Sequence, residues 1–288
     1  MGNYLKDINY ASTLPPTQAF SKIPLYHLRG LLLAQMGQLE NSFQNLVEAR
    51  RRNPEALNVH VNLWKSSAQL QKYGYTLYLS REMMRLQPDH SGANRMYALS
   101  LSQSGKSSEA LAIIKKAVNL KPTNSYIWSE IARIQLKLGN YSEALNDYEK
   151  ALEFKPDHIN TQIRLAFLLA TCPESTIRDG ERAVEYATYC IMRLRSSPQR
   201  AYAKMVLAMS YAEIGQADKA TKLATESIKE AKLDANVEKK WNQLIKQFKS
   251  GHAYRHSVSK SENQLFVISP LMNFHLSLKK KYKSRVLQ

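Results

Sequence analysis

Pro54, Pro88, Pro122 and Pro156 follow one another at intervals of 34 residues. A fixed period of this size is the mark of a repeated supersecondary unit, and it argues against a chain wound round one irregular core. Numbering each block so that this proline is position 32 gives 23–56, 57–90, 91–124 and 125–158. Position 15 is then Gly37, Gln71, Gly105 and Gly139, and position 8 is Gly30, Trp64, Ala98 and Ala132. Position 20 is Ser42, Thr76, Ala110 and Ala144, and position 27 is Ala49, Met83, Ala117 and Ala151.

Each recurring residue has a physical use. Glycine at position 15 takes the left-handed conformation that ends one helix and turns the chain. Proline at position 32 cannot continue a second helix and stops it. Small residues at positions 8, 20 and 27 let the two helices approach to about 8–10 Å. Bulkier neighbours such as Trp128, Ile131 and Tyr148 fill the space around the crossing. Asn140, with Glu143 three residues on, is placed to cap the second helix of its block. The block 57–90 departs most, with Trp64 at a position wanting a small side chain and Gly74 beyond the expected turn. Splayed or re-registered helices are expected there, in a degenerate repeat that holds Trp64 in its core.

Block 125–158 resembles the helix-pair signature of the tetratricopeptide repeat family, through Trp128, Ala132, Gly139, Ala144, Tyr148, Ala151 and Pro156. The resemblance continues through a fifth block, 159–200, with Ala166 and Ala183 in register and extra residues around Pro173 lengthening its turn. That longer turn looks like a variant of bacterial members, which points to a bacterial source. A sixth block, 201–234, keeps Leu207, Ala208, Tyr211, Gly215 and Ala220. The family resemblance implies an all-α solenoid, a right-handed superhelix of about six helix–turn–helix repeats. Trp241, Leu244, Ile245 and Phe248 then form one apolar stripe, so residues 235–250 read as a helix closing the end of the stack. Residues 1–22 read as a lead-in and 251–288 as a tail without repeat character.

Charge is unevenly spread. The chain carries 41 Lys and Arg against 24 Asp and Glu, and residues 235–288 hold 11 of the former and 2 of the latter. The tail places an apolar run, Leu265–Leu278, ahead of Lys279, Lys280, Lys281, Lys283 and Arg285. Such a segment suits a nucleic-acid backbone or an anionic membrane surface, or it could fold back into the groove. Two cysteines make no disulfide framework, and the opening residues have no apolar leader, so the expected compartment is the cytoplasm.

No catalytic constellation can be assembled: there is no phosphate-cradling glycine loop, nucleophile elbow or zinc-protease motif. His252 and His256 have helical spacing but no further ligands, and Cys190 falls where a small buried residue is wanted. The expectation is a non-enzyme with no cofactor and no metal. The family resemblance implies instead a scaffold that holds a partner peptide or protein on the inner face lined by each first helix. The candidate contacts along that face are Asn58, Lys65, Arg95, Tyr126, Arg133, Phe167, Met205 and Met209. Lys65, Arg95 and Arg133 come from successive blocks, and a guanidinium fork fits carboxylate oxygens, so an acidic peptide is the expected ligand.

Overall fold

The structure is a computed structural model, and it describes residues 22–195, 197–231, 233 and 235–256. The apolar run of the tail and its lysine cluster lie outside the described residues. Among the described residues every regular element is a helix: α1 (Lys22–Gln35), α2 (Leu39–Arg52), α3 (Leu57–Gln69), α4 (Tyr73–Leu86) and α5 (Ser91–Gln103). These are followed by α6 (Ser107–Leu120), α7 (Ser125–Leu138), α8 (Tyr141–Phe154), α9 (Ile159–Thr171) and α10 (Gly180–Arg193). The last three are α11 (Ser197–Glu213), α12 (Ala217–Ala231) and α13 (Ala235–Lys249). The helices fall into two units, one of α1–α5 and one of α6–α13.

Helices of 13 to 17 residues, about four to five turns, are bounded by the glycines and prolines of the repeat. Gly139 has φ +82°, its N–H meets the Leu136 carbonyl at 3.2 Å, and the Asn140 N–H meets the Gln135 carbonyl at 3.0 Å. Those bonds satisfy carbonyls that the end of α7 would otherwise leave open. Asn140 does sit at the cap position of α8, yet its side chain makes no capping bond. It donates to Gln135 Oε1 at 2.7 Å instead, bracing the turn rather than the helix end.

In the first unit α1 pairs with α2, α3 with α4, and α5 packs on α4. Block 57–90 keeps its register rather than splaying. Gln71 adopts φ +59° at the turn that glycine fills in the other blocks, so the chain still reverses there. Trp64 is accommodated by becoming part of the core: it is buried, and its Nε1–H donates to Ser100 Oγ at 2.9 Å. Ser100 Oγ also reaches the Thr76 carbonyl at 3.4 Å, so one hydroxyl links α3, α4 and α5.

In the second unit the core runs continuously from α7 to α13. Ala132, Ala166 and Ala208 on the first helices, and Ala144, Ala183 and Ala220 on the second, are wholly buried at the crossings. Cys190 fills its small-residue position in the same way, and burial pushes its thiol up to about 12, far from thiolate chemistry. Trp241, Leu244, Ile245 and Phe248 of α13 close the end of this core.

Candidate functional site

The first helices of successive hairpins stand side by side in each unit. In the first unit, Asn62 of α3 bonds to the His27 ring of α1 at 2.8 Å, and the Trp64–Ser100 bond ties α3 to α5. Lys65, next to Trp64, is exposed, and Arg95 of α5 is half-buried. Asn58, at the start of α3, is exposed and accepts from the Val59 N–H at 2.9 Å. The helix face of this unit therefore offers two cations and an amide to solvent.

The face of the second unit is built differently. Arg133 of α7 is only 4% exposed, and its Nε–H donates to Glu130 Oε2 at 2.6 Å. Arg164 of α9 reaches the other oxygen of Glu130 at 3.3 Å. One carboxylate is thus held between two guanidinium groups, and Arg133 is buried with its Nε–H turned to a carboxylate of its own chain. Lys137 follows one turn later, and burial, then the Arg133 charge, brings its ammonium down to about 7. Tyr126 is 49% exposed, packs edge-on against His158 with ring centres 4.4 Å apart, and has the Lys155 ammonium over its ring. Phe167 of α9 and Met205 and Met209 of α11 are buried, so the two methionines belong to the core and not to an open groove.

Phe167 is covered by the chain itself. At the end of α13, Gly251 takes φ +76°, and the His252 N–H bonds to the Gln247 carbonyl at 2.9 Å. This left-handed turn sends the chain back over the second unit, where Ala253 and Tyr254 pack against its core. The His256 main-chain N–H donates to the Thr171 carbonyl at 2.7 Å, and its ring meets Phe167 edge-on at 5.5 Å between centres. His256 is 3% exposed, and burial pushes its imidazole down to about 4. Arg255 pairs with Glu213 at 2.5 Å, and the other Glu213 oxygen is held by Arg178 at 2.7 Å. Arg178 lies in the lengthened turn after α9 and also donates to the carbonyls of Cys172 and Pro173, each at 3.0 Å. The extra residues of that turn thus fix the carboxylate that receives Arg255.

Sequence reasoning missed Thr171, Glu213 and the role of His256. Thr171 lies four residues beyond Phe167, so extending the inner row by one helical turn points to it; Glu213 occupies the matching place on α11. Among the described residues no group of His, Cys, Asp and Glu is arranged to hold a metal ion, and no helix is long and apolar enough to cross a membrane.

Hairpins of this kind, stacked with their first helices on one side, define an α-solenoid. The sequence matches the tetratricopeptide repeat family over residues 125–158. Its fold is similar to a chain of the APC/C hetero-tetramer Cut9–Hcn1, with a TM-score of 0.70 at 11% identity over 86% of this chain and 46% of that one. Yeast Tom70 gives 0.58 at 17% identity, over 79% of this chain and 47% of Tom70. PilF of Pseudomonas aeruginosa gives 0.57 at 16% identity, over 82% of this chain and 98% of PilF. At these identities the likeness is one of fold. No curated protein matches the sequence.

Proposed function

We propose that this chain is a non-catalytic scaffold that holds an extended segment of a partner protein on the first-helix face of its repeats. The observation that carries the reading is the seat of residues 252–256. That face already accepts a stretch of non-helical polypeptide through a main-chain bond, a ring contact and an ion pair, the three devices by which grooves hold peptides. Tetratricopeptide repeat proteins bind protein partners in general, and the fold fits that class.

The first unit is the proposed capture surface for a partner. Lys65 and Arg95 come from adjacent first helices and face solvent at least in part, so an acidic segment is the complementary ligand. Asn58 would bond its main chain. Arg133 drops out of this set because Glu130 occupies it. The test is affinity capture of partners with the intact chain against Lys65→Glu/Arg95→Glu, with circular dichroism confirming equal helicity. Loss of at least about tenfold in captured partner is expected, the size that reversing one or two rim charges commonly produces. Undiminished capture would show that the acidic-peptide assignment is wrong.

A further inference from the structure

We infer that the first-helix face of the second unit is a peptide site whose resident occupant is this chain's own segment of residues 252–256, which follows the last helix. The inference rests on the scaffold reading above, and it adds which face is taken and by what.

Three features distinguish the seat of residues 252–256 from a chain end lying on a surface. The main-chain N–H of His256 is satisfied by Thr171, whose own hydroxyl donates back to the Phe167 carbonyl at 2.7 Å and so sits at the mouth of the contact. The His256 ring is buried edge-on against Phe167 of α9. Arg255 meets a carboxylate that Arg178 has already oriented, so the acceptor is placed before the segment arrives. A site with a fixed acceptor, a ring platform and a main-chain partner selects a basic residue followed by a ring. Its charge preference is opposite to that of the first unit.

The chain also continues beyond His256 for a further 32 residues, through the apolar run and then the basic cluster. Because the segment is joined to α13 through the turn at Gly251, its local concentration at the seat is on the order of millimolar, the usual value for a short tether. A free peptide of the same chemistry must compete with that. The site is therefore closed to weak ligands and opens to a partner that displaces the segment.

The direct test uses a fluorescent peptide of residues 250–288 titrated by anisotropy into the intact chain and into the full-length variant Arg255→Gly/His256→Pro, which removes the ion pair, the ring and the main-chain N–H together. The variant empties the seat without touching its walls, so it should bind the peptide at least about tenfold more tightly than wild type, as relief from a tethered competitor requires. Adding Glu213→Arg should remove that gain. Equal affinity for both proteins, or a gain that survives Glu213→Arg, would overturn the inference. A second measurement needs no substitution: trypsin should cut after Arg255 at least about tenfold more slowly in the folded chain than in the free peptide, because cleavage requires the seat to open. Equal rates would refute the docked segment. Capture through Lys65 and Arg95 is measured separately, so failure here leaves the scaffold reading standing or falling on its own result.

Discussion

The Thr171 carbonyl accepts a hydrogen bond at 2.7 Å from the main-chain N–H of His256, a residue that lies beyond the last helix of the stack. The carbonyl sits at the C-terminal end of α9, where no further helical turn supplies a donor. The returning chain fills a need that the helix end creates. This makes the contact both a cap and a docking event, and its consequences can be measured.

Docking should weaken in acid. Burial holds the His256 imidazole at about 4, below its ordinary 6.5, so the docked state carries fewer protons than the released one. Docking contributes in full above pH 6.5, loses about 1.4 kcal/mol per pH unit below it, and stops losing near pH 4. Hydrogen exchange of the segment, compared at pH 7 and pH 5 after correction for intrinsic rates, should show markedly faster exchange at pH 5. In His256→Phe the difference between the two pH values should disappear.

Gln71→Gly should raise stability. Gln71 is held at φ +59°, a conformation that costs a residue with a Cβ about 1 kcal/mol and costs glycine little. Part of the gain is returned as lost freedom in the unfolded chain, so the net expectation is about 0.5 kcal/mol more stability by urea unfolding. A loss of stability would mean that the Gln71 side chain does more than turn the chain.

Ala144→Leu should destabilise the second unit by about 1–3 kcal/mol, because the crossing of α7 and α8 has no room for three more carbons. The same substitution at Asn146, an exposed residue of α8, should change stability by no more than about 0.5 kcal/mol. Thermal unfolding of the two variants compares them directly.

Glu130→Ala should cost about 3 kcal/mol, since it leaves the Arg133 guanidinium buried without its carboxylate. The double variant Glu130→Met/Arg133→Met should recover most of the loss, as an apolar pair of similar volume replaces the ions. If the double variant is as unstable as the single one, the pair contributes through packing and not through charge.

The repeat architecture was legible because it depends on residues whose constraints are local. Proline stops a helix, glycine turns a chain and alanine permits a close crossing wherever they occur, so the 34-residue spacing carried through to helix boundaries. Trp64 reads as a core residue and is one, but the splaying expected around it does not occur, because Ser100, outside its block, supplies the acceptor that the indole needs. Arg133 misled for a related reason. Its row position was read correctly, but Glu130 one turn away and Arg164 on the next repeat decide whether the guanidinium faces a ligand or a carboxylate of its own chain. His256 was out of reach, because nothing in its neighbours on the sequence announces Phe167 as its platform. Helix stops, turns and close crossings could be read; the partner that a polar side chain takes could not.

Whether first-helix faces rather than second-helix faces hold a partner is decided by side-chain NMR of the intact chain titrated with an acidic peptide selected for binding. Shifts are expected at Lys65 and Arg95 on α3 and α5, with Arg81 and Arg85 on α4 unmoved. Shifts confined to α4, or spread evenly over all four cations, would contradict that expectation.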